Sequence, residues 1–143
     1  MKRFLIVFLV ALVVSSCAST PETPSFPKSK TSTLNSQQAI ANVKSVIDRD
    51  DSLFLDSIND ELVVISSNDK NRVVACRVGF GDKFRSAKST FYFRRSGDVW
   101  NVRSEHLGRA GIGSGDSDVF EFRGVDIPCV STGYVEGLIF ENL

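Results

Sequence analysis

The sequence predicts an α+β domain in which one N-terminal helix packs on a four- to six-stranded antiparallel sheet. Three observations carry that expectation. Ala39, Ile40, Val43, Val46 and Ile47 recur at i, i+1, i+4, i+7 and i+8, one apolar stripe at helical period. Val74, Cys76, Val78 and Phe80 alternate with Val73, Ala75, Arg77 and Gly79, and residues 88–107 alternate again, which is the period of a strand. Finally, 143 residues with 42% hydrophobic and 24% charged side chains suit one globular domain. The 10 glycines and 4 prolines exclude a collagenous or low-complexity chain, and a formal net charge of +0 gives no whole-chain pull toward nucleic acid. With the helix preceding every strand, the economical arrangement lays it across one face of the sheet.

Met1-Lys2-Arg3 supplies two positive charges, and Phe4 to Val14 is an unbroken apolar run of eleven residues, the layout of a secretory signal peptide. Eleven helical residues cover about half of a ~30 Å hydrocarbon core, so the run reads as an export signal and not a membrane span. Val14-Ser15-Ser16-Cys17 follows directly: an aliphatic residue, two small residues, then cysteine. This resembles the lipobox of bacterial lipoproteins. The resemblance implies cleavage between Ser16 and Cys17, a diacylglyceryl group on the Cys17 thiol and an N-acyl chain such as palmitate on the new amino terminus. Several acyl chains at about 0.8 kcal/mol per buried CH₂ form an effectively permanent anchor. In that family an Asp after the cysteine retains the protein in the inner membrane. Ala18 stands there in this sequence, which implies the outer membrane, facing the periplasm, for a Gram-negative source. An ordinary secreted protein with an incidental Cys17 is the plainer alternative. Losing residues 1–16 removes Lys2 and Arg3 and leaves 15 basic against 17 acidic side chains.

Residues 17–34 read as the lipidated cysteine and a tether, with Pro21, Pro24 and Pro27 set among Ser and Thr and no apolar periodicity. The globular domain is expected over 35–143. Asn35 or Ser36 can cap a helix over about 36–49, closed by the acidic run Asp48-Arg49-Asp50-Asp51. Leu62–Ile65 and the alternating stretch 73–80, separated by the turn chemistry Ser67-Asn68-Asp69-Lys70-Asn71, read as a first hairpin. Lys88–Arg95 and Val99–Leu107 read as a second hairpin around Ser96-Gly97-Asp98. A two-residue Gly97-Asp98 turn pairs Phe93 with Val102, Arg95 with Trp100 and Phe91 with Ser104, so Phe91, Phe93, Trp100 and Val102 share one side. Tyr92, Arg94, Arg103 and Glu105 fall on the wet side. Val119–Arg123 reads as a further strand, after which Pro128 and Gly133 break the chain before a last apolar piece, Tyr134–Phe140. The helix-then-strands order and the hairpin Gly97-Asp98-Val99-Trp100-Asn101-Val102 are similar to cystatin-like and NTF2-like domains, in which a twisted sheet wraps a helix. A small all-β sandwich with a helical lead-in is the alternative.

With Cys17 assigned to lipid, Cys76 and Cys129 remain, an even pair in an oxidising compartment, and a disulfide is expected. Two buried thiols or a metal site are the rivals. The metal site lacks ligands, because His106 is the sole histidine and no C-x-x-C occurs. Gly108, Gly111, Gly113 and Gly115 lack the strand, helix and Lys-Ser/Thr context of a phosphate loop and read as a loop between strands that can form a binding lip. Ser114 is in no nucleophile elbow. His106 reads as an edge or partly buried residue, so no catalytic residue, metal or cofactor beyond the Cys17 lipid is expected. Mature-chain phenylalanines, Phe54, Phe80, Phe84, Phe120 and Phe122 among them, read mostly as core by alternation.

Charge falls in blocks: seven acids and one base over 45–69, ten bases and three acids over 70–109, six acids and one base over 110–143. Lys83, Arg85, Lys88, Arg94 and Arg103, with Arg95 and Arg109, lie on or beside the second hairpin, where a sheet gathers several into a basic face around Tyr92. Pairing of that block with its acidic flanks is the competing expectation. The functional expectation is a non-enzymatic, membrane-anchored envelope lipoprotein that binds an envelope protein or an anionic polymer, and not nucleic acid, through Lys83, Arg85, Lys88, Tyr92, Arg94 and Arg103. The alternatives are a small-ligand-binding or enzymatic NTF2-like domain, and an inhibitor of a cell-wall-cleaving enzyme or an exclusion factor.

Overall fold

The computed structural model describes residues 21–111 and 124–143. The expected signal peptide, the lipobox-like segment with Cys17, the expected strand Val119–Arg123 with Phe120 and Phe122, and most of the glycine-rich stretch lie outside the described residues. What is described is an α+β fold with a largely antiparallel sheet and two helices. In chain order the elements are β1 (Ser29–Thr31), α1 (Ser36–Ile47), β2 (Leu53–Ile58), β3 (Leu62–Ser67), β4 (Val74–Cys76), β5 (Lys83–Ser96), β6 (Val99–Gly111), β7 (Val125–Ile127), β8 (Cys129–Ser131) and α2 (Tyr134–Phe140). Neither helix is long and apolar enough to cross a membrane.

The β5–β6 hairpin is the spine. Gly97 takes φ +63° at the first central position of the turn, where a II′ loop requires a positive φ that side chains resist. The ladder that follows pairs Phe93 with Val102, Arg95 with Trp100 and Phe91 with Ser104, the register expected from the sequence. Pairing continues to Lys83 and Gly111, so both strands outrun their expected limits, with a bulge at Arg85 between Phe84 and Ser86. Phe91, Phe93 and Trp100 are buried on the inner side. Strand β3 pairs along β5, setting Val63 beside Phe93 and Ile65 beside Phe91, and β2 closes that edge. The other side of β6 carries β1 at Val99–Asn101 and β7 at Gly108–Ala110.

Both helices contribute to the core on this inner side. Asn35 caps α1 reciprocally: its Oδ1 accepts from Gln38 N at 2.9 Å while Gln38 Oε1 accepts from Asn35 N at 3.2 Å. Ala39, Val43, Val46 and Ile47 then join the core cluster. From α2 come Val135, Ile139 and Phe140, whose ring meets Phe93 edge-on at 5.6 Å between centroids. The chain end is tied to β1 by Lys30 Nζ donating to Phe140 O and Ser32 Oγ donating to Leu143 O at 2.8 Å.

Four expectations need correction. The first hairpin does not form: β3 pairs with β2 and β5, and β4 pairs with β8 across a sequence gap invisible to local pattern. The β2–β3 turn is instead made by Asn59, whose Oδ1 accepts from the amides of Glu61 and Leu62, each at 2.9 Å. There are two helices and not one, because Tyr134–Phe140 is α2. Residues 29–31 of the expected tether are sheet, so the ordered fold starts before Asn35. Alternation also misplaces Phe80, fully exposed in the loop after β4, and Phe54, half exposed on β2, while Ser67 of the expected turn is buried at the end of β3.

Cys76 and Cys129 face each other across β4 and β8 and form the expected disulfide, with Cα atoms 4.1 Å apart. It lies against the backbone of Gly108, where an added Cβ would come within 2.2 Å of Cys129 Sγ and 3.0 Å of Cys76 Sγ. Gly108 is therefore a packing requirement of the bridge. The chain-entropy model assigns a bridge of sequence separation 53 about 4 kcal/mol. Gly108→Ala is expected to lower the melting midpoint and to leave free thiols in a quantitative thiol assay. Native melting with a complete bridge in that variant would disprove the packing argument.

Candidate functional site

The pleat that buries Phe91, Phe93 and Trp100 sends their neighbours to the opposite side, and no described element covers that side. An antiparallel sheet tolerates one solvated face. Across the strands it presents the rows Leu62–Arg94–Asn101, Val64–Tyr92–Arg103 and Ser66–Thr90–Glu105, then Lys88 opposite Leu107 and Lys83 opposite Gly111. Half-exposed Phe54, opposite Ser66, and Leu107 add apolar surface.

The expected cations divide into groups. Lys83, Lys88 and Arg94 are exposed and make no ion pair among the described residues. Arg103 is on the same face but compensated: its Nη1 donates to Glu105 Oε1 at 2.6 Å, its guanidinium lies 4.6 Å from the Tyr92 ring centroid, and Tyr92 OH donates to Glu105 Oε2 at 3.3 Å. Arg85 sits in the bulge and makes an interaction of its own. Arg109 stands 3.5 Å from Asp126 across the β6–β7 pair. Arg95 leaves the face altogether. It is opposite Trp100 on the inner side, where it donates to Ser36 Oγ at 2.9 Å, Leu34 O at 3.2 Å and Gly97 O at 2.8 Å. Lys88 and Arg94 are six residues apart on β5, about 20 Å. The face is thus an extended strip, suited to a chain or surface of negative charge and not to a small anion.

His106 lies half buried between two hydroxyls, Ser89 Oγ at 2.8 Å from Nδ1 and Ser104 Oγ at 3.0 Å from Nε2, with the Phe91 ring edge-on at 5.6 Å. Burial, with a smaller push from Lys28, lowers its pKa and favours neutral imidazole. Among the described residues its hydrogen-bond partners are these two hydroxyls and no carboxylate, so those residues do not assemble a Ser-His-acid relay. Among the described residues no group of three His, Cys, Asp or Glu side chains is placed to hold a metal ion. A polar cleft lined by Ser36, Asp60, Glu61, Arg95, Ser96 and Gly97 opens at the turn end of the sheet, but its one cation is engaged by the three acceptors given above.

The polar cluster that sequence reasoning missed centres on Arg72. Its guanidinium donates to Asp69 Oδ2 at 2.7 Å, Asp50 Oδ1 at 3.1 Å, Ser52 Oγ at 2.8 Å and Tyr134 OH at 2.9 Å, and Tyr134 OH donates to Asp50 Oδ2 at 2.7 Å. Burial alone would raise the Asp50 pKa. Hydrogen bonds from the Ser52 hydroxyl, Tyr134, the Ser52 amide and Arg72 outweigh it and hold the carboxyl at about 2. The Arg72 hydrogen bond likewise lowers Asp69, and the bond to Asp50 raises Tyr134. The donors are turned inward on one another, which makes the cluster a clamp joining the exit of α1, the loop before β4 and the start of α2. Acidic Asp50 and Asp69 were visible as turn residues, but nothing local pointed to Arg72 and Tyr134 as their partners.

A carboxylate with a depressed folded-state pKa contributes stability that is complete above its unfolded value and lost as pH falls through the folded one. Asp50→Asn should therefore melt below the native chain at neutral pH, with the gap closing between about pH 4 and pH 2. A gap that stays constant over that range would show that the Asp50 charge is not what holds the clamp.

No protein-family model, curated protein or solved structure matches the chain, so the reading of the open face rests on its own residues.

Proposed function

We propose that the chain is an exported lipoprotein, cleaved after Ser16 and anchored through acylated Cys17, whose tethered domain is a non-enzymatic module that binds an anionic envelope protein or polymer. One observation carries the binding half of this reading: among the described residues, Lys88 and Arg94 stand exposed and without ion pairs on an uncovered sheet face, on either side of Tyr92. The address half rests on the charged start, the eleven-residue apolar run and the lipobox. It agrees with the Cys76–Cys129 disulfide, which suits an oxidising compartment. Each exposed cation contributes little alone, so recognition is multivalent and weakens with salt. The rival reading, a ligand cavity of NTF2-like kind lined by Phe120 and Phe122, falls on residues outside those described, and Phe91 and Phe93, which are solidly packed, add no support to it. An inhibitor of a cell-wall-cleaving enzyme is one form of the protein-binding reading and is found by the same experiment.

A photoreactive residue replacing Tyr92 or Arg94 in cells should give a discrete adduct that the exposed turn position Asn71 does not. Adding Lys88→Glu should weaken it. Identical products from all three positions, or monomer alone, would remove the open face as the binding surface. In parallel, palmitate labelling should be present in the native chain and absent from Cys17→Ala; label retained in that variant would refute the anchor.

A further inference from the structure

The most anomalous surface feature is Phe80. Its side chain is fully exposed, and the exposure is built into a tight turn. Asp82 N donates to Gly79 O at 3.1 Å, and Gly81 follows Phe80 with φ +82°, the value that the third position of a type II turn requires. A Cβ on Gly79 would come within 2.8 Å of Asp82 Oδ2. That carboxylate end can swing aside, so it is Gly81 that fixes the turn and holds Phe80 at its apex, away from the core. An apolar ring presented in this way lowers its free energy on leaving water for an apolar medium.

The position of the turn identifies that medium. Phe80 precedes Lys83, the first residue of β5, which pairs with Gly111 at the end of β6. The loop therefore lies at the end of the sheet opposite the Gly97 turn. Strand β1 runs antiparallel to β6, with Ser29 beside Asn101 and Thr31 beside Val99. Traced back from Ser29, the chain heads along β6 toward that same end, and Lys28 O extends the ladder by accepting from Val102 N at 2.9 Å. Phe26, further back, packs against Gly133. From Phe26 to Cys17 nine residue steps reach at most about 30 Å. Lys83 is exposed and without an ion pair among the described residues, close enough in sequence to meet headgroup phosphates when Phe80 is in the acyl region.

We propose that the Gly79-Phe80-Gly81 turn inserts its phenylalanine into the bilayer to which the chain is tethered, seating the Lys83 end of the sheet on anionic lipid. This rests on the reading of Cys17 as a lipid anchor. The test uses the full acylated chain carrying Phe80→Trp in phosphatidylglycerol vesicles with brominated acyl chains. The native Trp100 is buried and serves as the internal reference. Emission from the Phe80→Trp chain should shift to the blue and fall about twofold relative to unbrominated vesicles, as expected of an aromatic ring at acyl depth. A Ser96→Trp chain, altered at the opposite end of the sheet, should be unaffected. A chain that floats with the vesicles while Phe80→Trp stays unquenched overturns the insertion alone, as does equal quenching of Ser96→Trp. A native chain that does not float overturns the anchor reading, and the insertion with it.

Discussion

Pairing Phe93 with Val102 and Arg95 with Trp100 commits every side chain of β5 and β6 to one side of the sheet. A slip of one residue would put Phe91, Phe93 and Trp100 in water and turn Tyr92, Arg94 and Arg103 into the core. The buried aromatic set makes that slip prohibitive, since fully burying even one such side chain stabilises by roughly 1.5–3 kcal/mol. Because β3 is registered on β5, and β1 and β7 on β6, the same constraint reaches the remaining strands of the large sheet except β2, which follows through β3. The exposed cationic face is therefore a consequence of the core. Its residues are outside because the aromatics are inside.

The small β4–β8 sheet is attached by different means. Its apolar contribution is modest, Val74 with partly buried Cys76 and Cys129. It is held by the disulfide against Gly108 and by the Arg72 clamp, with Thr132 Oγ1 also donating to Arg72 O. Glu136 adds a further link, buried in α2 with Oε2 accepting from Ser131 Oγ at 2.8 Å while Oε1 has no partner among the described residues. Covalent and ionic attachments hold this part of the domain where burial alone is limited.

This division explains what the sequence disclosed. The second hairpin was legible to the residue because its turn is two residues long and its pleat is set by aromatics nearby in the chain. Helix α1 offered an apolar stripe and a capping residue. By contrast, β2 is interrupted by a register shift between Leu55 and Ser57, so Leu53–Ile58 shows no clean alternation. Strand β4 alternates but finds its partner at β8, a sequence separation of 53 away at the cysteine pair. In the candidate face, strand parity sorted Tyr92, Arg94 and Arg103 correctly. Composition grouped Arg85 and Arg95 with them, but the bulge at Arg85 and the capping acceptors of α1 around Arg95 are tertiary facts. Phe80 shows the same limit, because an apolar residue in an alternating run reads as core until the turn that expels it is known.

Under the proposed reading, the exposed cations on β5 would serve two different surroundings. Lys83 and Arg94 are eleven residues apart, about 35 Å along the strand, whereas charges in physiological salt are screened over about 8 Å. Headgroups that attract Lys83 are therefore not felt at Arg94, and a partner seated around Tyr92 and Arg94 is not drawn to the bilayer by Lys83. With the Phe80 end on lipid, the strands stand away from the membrane and the open face looks sideways into the compartment. A basic strip lying flat would instead be neutralised by anionic lipid along its whole length, leaving Arg94 no role in selecting a partner. If it inserts as proposed, the Phe80 turn fixes which end meets the membrane and keeps the far half of the strip available.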